Sequence, residues 1–132
     1  MERKRATERT EKLVAEYDIQ PGRIRALAWQ LSGGNLQKSV LARELFREPR
    51  LIVAEQPTQG LDVSAAEEVW RRLLAARKQA GILLVTGDVS EALHLADRIA
   101  VIFRGRLVDL FPVTDKEKIE RIGLMMAGVE SD

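Results

Sequence analysis

Two short apolar runs on either side of a helix-length amphipathic segment constrain this chain more than anything else in it. Leu51-Ile52-Val53-Ala54, bounded by Pro49 and Pro57, reads as a strand, and so does Ile82-Leu83-Leu84-Val85-Thr86. Between them Asp62 is placed to cap a helix over 63–79 whose apolar stripe is Ala66, Val69, Trp70, Leu73 and Leu74. Glu67–Arg71 and Glu68–Arg72 have the i,i+4 spacing of ion pairs on its wet side, and Gly81 supplies the stop. A strand–helix–strand unit of this length predicts parallel neighbours joined by a right-handed crossover. Leu51–Ala54, apolar at every position, is expected to be buried on both faces.

The other segments fit around that unit. Leu13, Val14 and Tyr17 edge a charged stretch that predicts a helix over 7–17, broken by Pro21-Gly22. Arg23-Ile24-Arg25 reads as a solvated surface. Asp88-Val89-Ser90-Glu91 has the spacing of a capping box and starts a short helix through Leu95. Residues 99–103 and 106–111 flank Arg104-Gly105, a two-residue hairpin connection with glycine where φ must be positive. Residues 115–127 end the chain as a helix carrying Ile119, Ile122, Leu124 and Met126. The expected fold class is α/β: a mostly parallel sheet from strands 51–55, 82–86 and 99–103, flanking helices, and a C-terminal β-hairpin plus helix.

Leu31-Ser32-Gly33-Gly34-Asn35-Leu36-Gln37-Lys38 carries the chemistry. Ser32 is a good N-cap residue, and the apolar period Leu36, Val40, Leu41, Leu45 comes after it, predicting a helix over 33–46 that stops before Pro49. Its first turn nevertheless holds Gly33 and Gly34, at a cost of about 1 kcal/mol each relative to alanine. A helix start that only caps itself has no need of them. Two glycines strip side chains from the place where free N–H groups and the positive end of the helix dipole point outward, which suits a phosphate.

Downstream, a strand ends in Glu55-Gln56-Pro57-Thr58, and Gly60-Leu61-Asp62 then opens the next helix. This order of motifs resembles the ATP-binding cassette (ABC) ATPases of membrane transporters. That family carries an LSGGQ signature, a Walker B strand ending Asp-Glu-Pro-Thr, a Leu-Asp D-loop and a switch His at this spacing. The likeness is greatest to the second cassette of the double-cassette ATPases of simple-sugar and nucleoside importers, through Asn35, Gln37-Lys38, Leu41-Ala42-Arg43-Glu44-Leu45 and the tail Glu120–Gly128. The resemblance implies the C-terminal half of a P-loop NTPase cassette: residues 1–30 a remnant of the helical subdomain, and 31–132 the signature helix, Walker B strand, D-loop and C-terminal core. None of the nine glycines is followed by lysine, so the chain has no P-loop, and Met1 falls where the middle of a cassette is expected.

By the same resemblance, Ser32, Gly33, Gly34, Asn35, Gln37 and Asp62 contact nucleotide held by the P-loop of an opposite cassette. The Walker B carboxylate position holds Glu55, one methylene longer, which leaves a displaced metal contact. The general-base position holds Gln56, which cannot take a proton from water near neutral pH, and Gly87 stands where the switch His is expected. The chain's own site therefore reads as degenerate, with no catalytic residue and no hydrolysis by the isolated chain. ATP and Mg²⁺ are expected in the full-length dimer and none tightly bound to this chain alone. Expected partners are a second cassette and transmembrane permease subunits, on the cytoplasmic face of the membrane, with self-association of the isolated chain through its uncovered sheet. The rival reading is a stand-alone protein-interaction module with no nucleotide role. DNA-repair and chromosome-maintenance ATPases share a Ser-Gly-Gly signature but join it to long coiled coils, and residues 1–17 show no sustained heptad.

Composition narrows the rest. Twenty-one basic against twenty acidic residues leave a net charge of +1, and so no electrostatic case for nucleic acid. The absence of cysteine excludes disulfides and thiolate metal sites. The longest apolar run, Ile99–Phe103, falls far short of the ~20 residues that span a bilayer. His94, the single histidine, reads as a surface or packing residue, Trp29 and Trp70 as core or interface anchors, Asp88 as a cap, and Ser90 lacks a base partner.

Overall fold

The computed structural model describes residues 2–129; Met1 and residues 130–132, at the outer ends of the segments 1–30 and 31–132, lie outside the described residues. The elements run α1 (Glu2–Glu16), a 3₁₀ turn (Ala28–Gln30), α2 (Gly33–Leu45), β1 (Leu51–Glu55), α3 (Val63–Ala76), β2 (Gly81–Val85), α4 (Val89–Leu95), β3 (Arg98–Phe103), β4 (Arg106–Pro112) and α5 (Lys116–Met126). The chain divides into two compact units, residues 1–83 and 84–132.

In the first unit α1 begins at Glu2, five residues before the start its sequence suggests, and ends within a residue of the expected Tyr17. It stops at Glu16 because Asp18 takes φ 45°, which lets the Ile19 N–H reach Val14 O at 3.0 Å and the Asp18 N–H reach Ala15 O at 3.3 Å. This is a Schellman stop with aspartate in the position usually held by glycine. Tyr17, Ile19 and Ala42 then form a small core with Leu13, Val14, Leu31 and Leu41, pinning the end of α1 to α2. Arg72 of α3 adds a second tie: it donates to Glu16 O at 2.6 Å and lies over the Tyr17 ring at 4.0 Å. Burial pushes the Tyr17 hydroxyl up, against the opposing pull of Arg72.

The ion pairs on α3 differ from expectation. Glu68 takes both arginines, Arg72 at 2.9 Å and Arg71 through an i,i+3 contact, rather than Arg71 pairing with Glu67. Both spacings put side chains side by side on a helix, and one carboxylate has oxygens for two guanidinium groups. Partial desolvation raises the Glu68 carboxyl, but the bonds from Arg71 and Arg72 outweigh it and hold the group below its usual range.

The strands form two two-stranded sheets, β1–β2 and β3–β4, rather than one three-stranded sheet. Arg104-Gly105 makes β4 the immediate partner of β3, with φ 47° and 75° at the turn, the left-handed pair a two-residue hairpin needs. Pairing shifts between Val101↔Asp109 and Ile102↔Leu107, so Val108 is an extra residue in β4 and the hairpin carries a bulge. Within the second unit Ile99, Val101, Phe111, Ile122 and Met125 form the core, with α5 laid on the hairpin. Lys118 of α5 reaches Asp109 of β4 at 2.7 Å. On β1, by contrast, Leu51 and Val53 stand 65% and 63% exposed, so the strand presents one uncovered apolar face instead of two buried ones.

Candidate functional site

Three helix ends of the first unit meet at one groove of ≈ 640 Å³: the stop of α1 at Tyr17-Asp18, the start of α2 and the start of α3. Ser32 caps α2 with extended backbone (φ −64°, ψ 161°), and its Oγ accepts from the Asn35 N–H at 3.3 Å. Asn35 turns its side chain onto the same atom, Nδ2 to Ser32 Oγ at 2.9 Å, while its Oδ1 accepts from the Gln20 N–H at 2.8 Å. Asp62 caps α3 through Oδ1 and the Ala65 N–H at 2.9 Å. Gln37 donates from Nε2 to Pro57 O at 2.8 Å and so ties α2 to the loop after β1. Lys38 leans over the same groove and is held by Asp18, donating to its carbonyl at 3.2 Å.

The two glycines at the start of α2 have different reasons to be there. A Cβ on Gly34 would sit 3.1 Å from the Ala65 methyl, so the bare backbone lets α2 approach α3. A Cβ on Gly33 would meet nothing nearer than Leu61 Cδ2 at 4.0 Å. No packing demand inside this unit explains Gly33; open space facing the groove does. Gly33→Ala is therefore expected to stabilise the chain, by up to about 1 kcal/mol of helix propensity, and so to raise the melting temperature. Gly34→Ala has to push α3 aside and should melt below Gly33→Ala. Equal melting temperatures for the two variants would remove this distinction.

Of the residues picked out in the sequence, Ser32, Gly33, Gly34, Asn35 and Asp62 all line the groove, and Gln37 braces it from behind. Glu55 and Gln56 lie exposed at the end of β1, and Gln56 takes φ 46°. Gly87 belongs to the second unit, just before Asp88, which caps α4 by accepting from the Ser90 N–H at 2.8 Å and the Glu91 N–H at 3.2 Å. The Asp88 N–H in turn donates to Thr86 Oγ1 at 3.0 Å. Glu55 does not make a metal site by itself: among the described residues no group of three or more His, Cys, Asp or Glu stands where an ion could sit. A bound magnesium needs ligands from elsewhere. The groove's anion-facing side fits a phosphate better, with a hydroxyl at Ser32 and unobstructed backbone at the N-terminus of a 13-residue helix. The Gln20–Asn35 and Gln37–Pro57 bonds had no sequence signal, because each joins residues 15 or 20 positions apart through a side-chain amide.

The chain superposes on a solved ATP-binding cassette of an ABC transporter with TM-score 0.73 at 20% identity, covering 96% of this chain and 50% of that one. A dimeric bacterial ABC transporter cassette matches with TM-score 0.68 at 26% identity, over 80% of this chain and 46% of that one. The fold is thus that of part of an ATP-binding cassette, of the P-loop NTPase class. In sequence the chain is 43% identical over 118 residues to a guanosine import ATP-binding protein of Bacillus subtilis, covering 88% of this chain and 23% of that protein. It is 46% identical over 104 residues to a glucose import ATP-binding protein of Haloferax volcanii, covering 78% of this chain and 19% of that protein. No protein-family model matches. The chain is thus similar to part of the ATP-binding proteins of ABC transporters, and it spans about a fifth of the length of these relatives.

Proposed function

We propose that this chain supplies the signature segment, Ser32 to Gln37, to an ATP site whose P-loop lies on a second cassette of an importer for simple sugars or nucleosides. The observation that carries the reading is Gly33: a helix start left bare where no packing requires it, beside a serine hydroxyl and above an open groove. ATP, with Mg²⁺ held by ligands outside this chain, supplies the γ-phosphate that these donors face. Asp62 and the two residues before it border the same groove, so they act on this nucleotide together with the signature segment. Closure of the groove on nucleotide then passes to permease subunits at the cytoplasmic face of the membrane. No helix among the described residues is long and apolar enough to cross a membrane itself.

In this reading the chain's own catalytic position is degenerate. Gln56 has no basic atom for a water proton, and Gly87 has no side chain to offer a γ-phosphate. The isolated chain should release no phosphate from ATP in a steady-state assay with Mg²⁺. Mg²⁺-dependent turnover that disappears in Gln56→Ala would overturn the assignment.

A second reading, an interaction module without nucleotide, has the exposed face of Leu51 and Val53 in its favour. That face predicts self-association of the isolated chain, by strand pairing or an exchanged element. Light scattering should give a mass above that of the monomer at high concentration, and Val53→Lys should reduce it. A monomer at every concentration counts against the idea.

A further inference from the structure

The geometry points to Asn35 as a positioning residue that makes the Ser32 hydroxyl an obligate donor into the groove. This rests on the reading above, in which Ser32 faces the γ-phosphate. A chain of hydrogen bonds fixes the orientation. The Gln20 backbone N–H can only donate, so the atom of Asn35 that meets it at 2.8 Å is Oδ1. That orients the amide and turns Nδ2 onto Ser32 Oγ at 2.9 Å. The Asn35 backbone N–H approaches the same oxygen at 3.3 Å. A serine oxygen has two lone pairs and one proton. With both lone pairs engaged by N–H groups, the hydroxyl proton has no acceptor among these partners and points away from them, to the groove side.

A freely rotating serine offers a phosphate either a lone pair or a proton, and the first repels it. Here the wrong orientation is already excluded, so the donor is set before the ligand arrives. Preorganised donors of this kind matter to rate because no reorientation is left for the reaction itself. The Gln20 link also makes the setting depend on the loop between α1 and the 3₁₀ turn, so a shift of that loop releases the amide and with it the hydroxyl. Lys38 is engaged by Asp18. That bond uses one of the three ammonium donors, and the serine proton and the backbone N–H groups of Gly33 and Gly34 are the donors that the start of α2 itself presents.

The test is a double-mutant cycle on ATP hydrolysis, in a full-length sugar- or nucleoside-import ATPase carrying residues 2–129 of this chain as its matching segment. Asn35→Asp keeps the shape and the acceptor for the Gln20 N–H but replaces the Nδ2 donor with an acceptor, so the Ser32 hydroxyl turns inward to it. Asn35→Leu removes the amide without adding charge. Each should lower kcat tenfold or more with KM for ATP changed far less, and Ser32→Ala should do the same. The deciding measurement is Ser32→Ala combined with Asn35→Leu: it should be no slower than Ser32→Ala alone, because Asn35 acts through that hydroxyl. A structural role for Asn35 gives additive losses instead, and additivity overturns the inference. So does an unaffected kcat in Asn35→Asp when Ser32→Ala is slow. If Ser32→Ala itself turns over normally, or the parent with this segment does not hydrolyse ATP, the reading under Proposed function fails rather than this one. Melting temperatures of the variants show whether each is folded, and Asn35→Asp, which retains the Gln20 bond, stands in if Asn35→Leu does not fold.

Discussion

Gly128→Ala is expected to destabilise the chain by about 3 kcal/mol, seen as a midpoint of its cooperative melt lower by roughly 10 °C. Helix α5 ends in a Schellman motif: the Val129 N–H reaches Leu124 O at 3.0 Å and the Gly128 N–H reaches Met125 O at 3.1 Å. Gly128 sits at φ +72° to make both bonds, a conformation that costs an L-residue with a Cβ about 1–2 kcal/mol. The Cβ would also lie 2.7 Å from Phe103 Cδ1 and closer still to Cε1 and Cζ. The ring has to swing away, and Phe103 is the last residue of β3, so the end of α5 loosens from the hairpin. A cycle with Phe103→Leu separates the two costs: the backbone part stays and the clash goes. An unchanged midpoint in Gly128→Ala would show that the α5 terminus is free of the hairpin.

That glycine stands in a run the sequence marks only as the end of a helix, and the neighbouring cases explain which features a sequence can announce. Ser32, Asp62 and Asp88 are legible as caps because an N-cap needs only its own side chain and the next few N–H groups. The amphipathic stripe of α3 is legible because it repeats with the helix period, and Val69 and Leu73 are buried as it requires. Asp18 is not, since a left-handed stop at aspartate is imposed by tertiary packing, here of Tyr17 and Ile19 with Leu41 and Ala42 of α2. Arg104 is not either, because a type I′ turn asks for positive φ at both central residues and glycine announces only one. Arg104-Gly105 announces the β3–β4 hairpin, but nothing local in the apolar run of β1 decides that it keeps an open face. In the groove, type and spacing are enough to pick the motif residues. The division of labour between Gly33 and Gly34, and the amide relay through Asn35, depend on Ala65 and Gln20, which no local pattern brings to them.

Ser32→Arg should slow ATP hydrolysis about a hundredfold at a composite site formed between this segment and a P-loop of a second cassette, a loss of about 3 kcal/mol of transition-state stabilisation. Two effects combine. The substitution removes the hydroxyl donor and the N-cap acceptor that holds the Asn35 N–H, and it puts a long side chain at the mouth of a groove that Gly33 keeps open. Loss of the cap alone costs about 1 kcal/mol of stability, which a thermal melt reports separately from rate. Ser32→Thr retains hydroxyl and cap and should recover most of the activity. Restoring carboxylate and imidazole by Gln56→Glu and Gly87→His should not rescue Ser32→Arg, because in this arrangement those positions face the other nucleotide. Rescue by that pair would place all three residues on one nucleotide and reverse the in-trans assignment. An unchanged kcat and KM in Ser32→Arg, with transport continuing, would make α2 ordinary scaffold, and Gly33 would then need another explanation.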